Sequence, residues 1–279
     1  MIAWPRSDSM LLSARRRITS RLHEPFRGPL LLALLAGLLL PIGNDARADD
    51  AGIPSNHREL SAITELWEPV PRKVTPGIGS APPDDAIVLF DGTDLSQWEP
   101  VREGSQGWRL DGNALVVVPG SGNLRTRQSF EDVQLHIEWR SPARVAGDSQ
   151  NRGNSGIFLM ERYEVQVLDS FDNPTYPNGQ AASVYKQHIP LVNASRGPGQ
   201  WQTYDIVFMA PQFGRDGRIS RPATVTVLHN NVLVQNNVVL HGPTEYIGEP
   251  RYEAHGPAAI ELQDHGSEVT YRNIWVRPL

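Results

Sequence analysis

The sequence contains no cysteine. A disulfide scaffold, a thiolate metal site and a cysteine nucleophile are therefore excluded. It also lacks a G-x-S-x-G elbow and an H-E-x-x-H pair, so the serine-hydrolase and zincin patterns are missing. Neither sign of charge dominates: 26 Lys and Arg against 31 Asp and Glu give a net charge of −5. A mildly acidic chain has no electrostatic footprint for nucleic acid. Apolar runs are short as well. Pro29–Leu40 stops well before the ~20 apolar residues a membrane-spanning helix needs.

What stands around that run has the form of an export leader. Arg15, Arg16, Arg17, Arg21 and Arg27 precede it as a basic region, and Ala46-Arg47-Ala48 follows with small residues at cleavage spacing. The expected organisation is a signal peptide over 1–48, a Pro-rich arm over 49–84 and one domain over 85–279. Cleavage near Ala48 leaves about 230 residues, enough for one sizeable β domain. The chain is expected to be exported by the general route, periplasmic or secreted, with no stable membrane anchor after cleavage. Within the arm, Leu60, Ile63 and Trp67 fall at helical spacing, which predicts a short helix over His57–Trp67 packed on the domain.

With 23 prolines and 24 glycines among short apolar runs, the composition suits a loop-rich β protein. Strands are predicted at Ala86–Phe90, along a hairpin turning at Asp111-Gly112, and at Val133–Arg140, Gly156–Met160 and Tyr163–Leu168. Further candidates are Ser183–Gln187, Gln202–Met209, Ala223–Leu228, Val232–Gln235, Ala258–Gln263 and Val269–Val276. Val133, Leu135, Ile137 and Trp139 alternate inward with Gln134, His136, Glu138 and Arg140 outward. Asn230-Asn231 reads as a tight hairpin turn, and Phe171–Gly179 as a long surface loop. These elements predict an all-β fold, a two-sheet β-sandwich.

The run Asn154–Asp169 (NSGIFLMERYEVQVLD) carries the densest chemistry. Period-two alternation puts Glu164 and Gln166 on one strand face, opposite Tyr163, Val165 and Val167. Two readings stay open: a solvated strand face, or the floor of a wet concave sheet that handles a polar ligand. Asp169 falls on the other face unless a β-bulge re-aims it. Two distant segments, Leu262-Gln263-Asp264-His265-Gly266 and Tyr185-Lys186-Gln187-His188, look poised to meet this strand. Together they supply the groups for general acid–base work or for a hard divalent cation. His265 by itself also reads as a turn residue. His136 and His229 are expected at the surface, while His188, His241 and His255 lie in loops able to rim a cleft. Trp98, Trp108, Trp201 and Trp275 are candidate sugar-stacking residues, although alternation favours a core position for Trp139 and Trp275.

Several of these motifs together resemble the 3-keto-disaccharide hydrolase domain family. They are Val88–Trp98 (VLFDGTDLSQW), Gly153–Phe158, Tyr163–Asp169, Gln200–Ile206, Leu262–Gly266 and Tyr271–Trp275, in order along Ala86–Leu279. The resemblance implies a concanavalin-A-like β-sandwich (jelly roll) in an exported protein acting on carbohydrate. It implies cleavage of glycosides oxidised at sugar C3, by removal of the C2 proton, loss of the C1 leaving group and addition of water. On that reading Glu164 is the base or a metal ligand and His265 its acid–base partner. Gln166, Gln263 and Tyr185 orient the substrate, and Asn154, Ser155 and Asp169 complete the substrate-binding set. A divalent cation (Ca, Mg or Mn) on Glu164, Gln166 and His265 is a further expectation. Glu164-x-Gln166-x-x-Asp169 is also similar to the E-x-D-x-x-E strand of laminarinase-like glycoside hydrolases, but with an amide in the middle and a shorter acid at the end. A non-catalytic sugar-binding module is the remaining alternative.

Overall fold

The computed structural model describes residues 56–279; the expected leader over 1–48 lies outside them. The chain divides into two units, 1–70 and 71–279. In the first, helix α1 (His57–Ala62) is shorter than predicted and buries none of its residues. Leu60, Ile63 and Trp67 are exposed, so the apolar spacing there marks no helical core face. Among the described residues no helix is long and apolar enough to cross a membrane.

The second unit is built from strands. They run β1 (Ile87–Phe90), β2 (Trp98–Pro100), β3 (Arg109–Asp111), β4 (Ala114–Val116), β5 (Leu124–Phe130), β6 (Val133–Arg140), β7 (Ser155–Leu159) and β8 (Tyr163–Val167). After a long connection come β9 (Gln202–Met209), β10 (Gln212–Phe213), β11 (Ile219–Arg221), β12 (Thr224–His229), β13 (Val232–Val239), β14 (Ala258–Leu262) and β15 (Thr270–Pro278). One antiparallel sheet has the order β13-β12-β9-β6-β15-β4-β3, with β1 also on β15; the other has β2-β5-β14-β7-β8. β10 and β11 form a small separate ribbon.

The inward side chains of the two sheets form one apolar cluster. Leu135, Ile137, Tyr204, Ile206 and Phe208 from the larger sheet pack with Ile157, Tyr163, Val165 and Val167 from the smaller. The Tyr163 and Phe208 rings meet at 5.5 Å between centroids. Two hydroxyls are satisfied across the layers: Tyr204 donates to the Gln166 carbonyl at 2.9 Å, and Tyr271 shares a 2.6 Å hydrogen bond with Ser155. This is the sandwich that alternation in β6 and β9 predicts, since a face with a side chain every second residue can be covered by one opposing sheet.

Several expectations are corrected here. Ser183–Gln187 is no strand: Val184 makes only isolated bridges, to Val165 and His188, because Ala182 and Lys186 adopt left-handed backbone. The chain still runs along the outer side of β8. Conversely, β5 (LRTRQSF) sits inside the smaller sheet although its composition is polar; Arg125 and Arg127 face outward and pair with Glu99. His136 and His229 are buried, not superficial. His229 lies between Trp139 and Tyr204, where burial pushes its pKa down to about 3 and keeps it neutral. His136 stacks on Trp275 and bonds Asp205 at 2.7 Å beneath the segment that carries Ser80. Trp98, Trp108 and Trp275 are buried, and Trp201 is clasped by Arg140 and Arg272, so none is a free stacking platform.

Candidate active site

β7 and β8 form a regular antiparallel hairpin in which Gly156 faces Gln166 and Phe158 faces Glu164. Side chains of directly paired residues share a face, so these four point away from the core together. Phe158, Glu164 and Gln166 form the floor of a pocket of about 460 Å³, within the range usual for small-molecule sites. Loops supply its walls: Gln150, Asn151 and Asn154 on one side, Tyr176 and Tyr185 beyond β8, Thr244 and Tyr246 at the hairpin end. Gln263 and His265 follow β14 and complete the lining.

Glu164 is only 5 % exposed. Its main chain is fixed, the N–H donating to Thr244 Oγ1 at 2.9 Å and the carbonyl accepting from Tyr185 N–H at 3.2 Å. Its carboxyl, by contrast, receives no hydrogen bond among the described residues, and burial alone pushes its pKa up to about 8. Room for that carboxyl depends on a missing side chain. A Cβ built on Gly156 would lie 2.5 Å from Glu164 Oε1.

Around this acid stands a set of amides. Gln166 Nε2 donates to Gln150 Oε1 at 3.0 Å, and Asn154 Nδ2 donates to the Gln150 carbonyl at 2.7 Å. Gln150 in turn donates to Thr175 Oγ1 and to the Gly179 carbonyl, tying the pocket wall to the 171–179 loop. Three amide oxygens, Asn154 Oδ1, Gln166 Oε1 and Gln263 Oε1, are left buried without a partner. Unpaired buried acceptors are costly, and here they belong to residues around one concavity. The Tyr185 hydroxyl shares a 2.6 Å hydrogen bond with Tyr176, and burial raises its pKa.

The structure thus brings Glu164, Gln166, Asn154, Gln263, Tyr185 and His265 to one pocket. Ser155 and Asp169 are placed elsewhere. Ser155 points into the core, donating to the Gln263 carbonyl and meeting Tyr271. The β7–β8 register contains no bulge, so Asp169 stays on the face opposite Glu164. There it forms a 2.8 Å ion pair with Arg152 beside a separate depression lined also by Gly153 and Ser267. Both members of that pair are largely buried, and Arg152 also donates to the Phe171 and Asp172 carbonyls. Arg152→Ala is therefore expected to cost about 3 kcal/mol of stability in a denaturant titration, because it strands a buried carboxylate.

His265 is exposed at the rim. Among the described residues no three His, Cys, Asp or Glu side chains converge as a metal cluster. The donors present are mostly oxygen: Glu164 and the unpartnered amide oxygens make a set suited to a hard ion, with His265 on the same lining. Sequence reasoning missed Gln150, Phe158, Tyr176, Thr244 and Tyr246. Phe158 alternates outward on β7 two residues after Gly156, a position that strand period alone marks, and the others lie in loops with no periodicity to read.

The model of the 3-keto-alpha-glucoside-1,2-lyase-like domain matches residues 85–277. The chain belongs to this family. A candidate glycosyl hydrolase from Parabacteroides distasonis ATCC 8503 is similar at 49% identity and a TM-score of 0.74, over 78% of this chain and 95% of that one. A second candidate glycosyl hydrolase from the same organism shares the fold, at 18% identity and a TM-score of 0.51, over 70% and 94% of the two chains. No curated protein matches the chain. Family and fold agree with the resemblance read from the sequence, and they support a glycosyl hydrolase-like domain.

Proposed function

We propose that this protein cleaves glycosides carrying a ketone at sugar C3, by β-elimination across C1 and C2, followed by addition of water. The observation that carries the reading is Glu164: one buried carboxyl without a partner on the floor of the pocket, its pKa pushed up to about 8. A base of that strength suits removal of a carbon-bound proton, which a neighbouring ketone acidifies. Glu164 takes the C2 proton, leaving an enolate at C2–C3. The enolate re-forms the ketone as the C1–O bond breaks, giving the C1–C2 double bond and the leaving alcohol. Tyr185 or His265 stands ready to protonate that oxygen, and the free amide oxygens of Asn154, Gln166 and Gln263 accept from ring hydroxyls. A hard cation held by those amide oxygens would supply charge for the C3 oxyanion and leave Glu164 free as the base.

A retaining glycosidase of the laminarinase type needs two carboxyls about 5–5.5 Å apart. No other lining residue is acidic, and Asp169 is engaged with Arg152 on the far face. That disfavours the laminarinase-like mechanism. Export, with the leader cut near Ala48, is part of the same proposal and places the enzyme where external glycosides arrive.

The test is to follow monosaccharide release from a 3-keto-disaccharide and from the unoxidised sugar, each with and without chelator. Cleavage of the keto form alone is expected. Release from the plain sugar would overturn the elimination reading, binding without cleavage of either would leave a sugar-binding module, and the chelator arm reads metal dependence. A pH series adds a second check. Because the base must be ionised, kcat/KM should rise with pH and level off above about 8; a profile falling through that range would assign Glu164 as an acid.

A further inference from the structure

The pairing of strands places a second set of polar side chains in line with Glu164. Glu164 pairs with Phe158, Phe158 with Glu261, Glu261 with Arg125, and Arg125 with Glu99. Paired residues share a face, so one row crosses all five strands of the smaller sheet on the same side as the pocket floor. Neighbouring strands are about 4.8 Å apart, which sets Glu164 and Glu261 about 10 Å apart at the backbone with the Phe158 ring between them. Loop residues wall the pocket beyond β8 and at both ends of the hairpin, Gln263 and His265 stand past the end of β14, and no residue of β14 itself belongs to the lining. The half-buried Phe158 ring therefore links the pocket floor to Glu261 along one face of the sheet.

We infer that the leaving group lies over Phe158 and is bound by Glu261 and Arg125, as a neutral, hydroxyl-rich residue such as a second sugar. The inference rests on the elimination reading of the Glu164 pocket. Phe158 offers a half-buried apolar ring to the C–H face of a pyranose. Beyond it, Glu261 accepts from Asn123 Nδ2, and Arg125 bonds Glu99 and Glu161 at 3.1 Å, leaving a mixed array of donors and acceptors partly open to solvent. Burial raises the pKa of Glu261, as expected of a carboxyl that is only partly compensated. Such an array matches hydroxyls of both senses. It would reject a flat aromatic leaving group, which cannot satisfy it, and an anionic one, which would face Glu261, Glu161 and Glu99.

The experiment compares kcat/KM for a 3-keto-disaccharide and for the 3-keto methyl glycoside of the same sugar, in the parent protein, Glu261→Gln and Arg125→Met. The disaccharide-to-methyl ratio is expected to fall at least ten-fold in each variant, with the melting temperature recorded as a folding control. An unchanged ratio would overturn the inference. Absence of turnover on both substrates in the parent would instead sink the elimination reading. Titration of the unoxidised disaccharide into Glu164→Gln with and without Glu261→Gln then still decides the subsite: ten-fold weaker binding supports it, and equal binding overturns it.

Discussion

Glu164→Gln should lower kcat on a 3-keto-disaccharide by about 10³-fold or more while leaving the protein folded, since general-base contributions are typically 10²–10⁴. Gln keeps the size and one oxygen of Glu but cannot take a proton from carbon. The same substitution has a second, opposite effect on stability. The Glu164 pKa rises from 4.5 to about 8 on folding, so the native state holds this proton more tightly than the unfolded chain does. Stability linked to the group is complete below about pH 4.5 and is lost as pH rises through 8. Above that, the parent keeps a buried, unpaired carboxylate at a cost of up to about 5 kcal/mol. Glu164→Gln should therefore melt higher than the parent at pH 9, with the advantage shrinking toward pH 5. Retained turnover would remove Glu164 from the mechanism, and a lower melting temperature at pH 9 would mean its charge is compensated.

The second large effect is expected from Gly156→Ala. Gly156 has ordinary strand backbone, so alanine meets no conformational strain there. Its new methyl would fall 2.5 Å from Glu164 Oε1 and 3.0 Å from Phe158 Cε2. The end of a glutamate side chain can swing aside cheaply, and the melting temperature should move by only a few degrees. The position of the base cannot shift cheaply: a displacement of 1 Å is worth about 10²-fold in rate. A loss of about that size in kcat/KM, with the fold intact, is the expected result. Full activity would show that the carboxylate does not work from the place it occupies. Together the two substitutions separate the chemistry of the group from its position.

How much of this was readable in the chain depends on how local the signal is. β6 and β9 have the bounds that their alternation predicts, because each is covered on one face by the opposing sheet and its residues report that face directly. The shared face of Glu164 and Gln166 follows from the period of a strand alone. β5 was not readable: its two arginines are balanced by Glu99 and Glu161, residues of other segments, so its composition reads as loop. His136 sits on its strand at a polar position, and only the packing of Trp275 shows that it is covered. His229 ends β12 in phase with Val225 and Val227, so the period of the strand itself turns it inward, onto Trp139 and Tyr204.

The sequence by itself determined the class of fold, the family motifs and the acid on the central hairpin, all of which depend on residue spacing along one strand. Tertiary structure alone decided which polar residues meet that acid. The register without a bulge sends Asp169 to Arg152, and core packing turns Ser155 toward Tyr271. Loops from three separate stretches bring Gln150, Tyr176 and Thr244 to the same concavity. The pKa near 8 is tertiary as well, since it comes from burial, and burial belongs to the whole fold rather than to any residue in it.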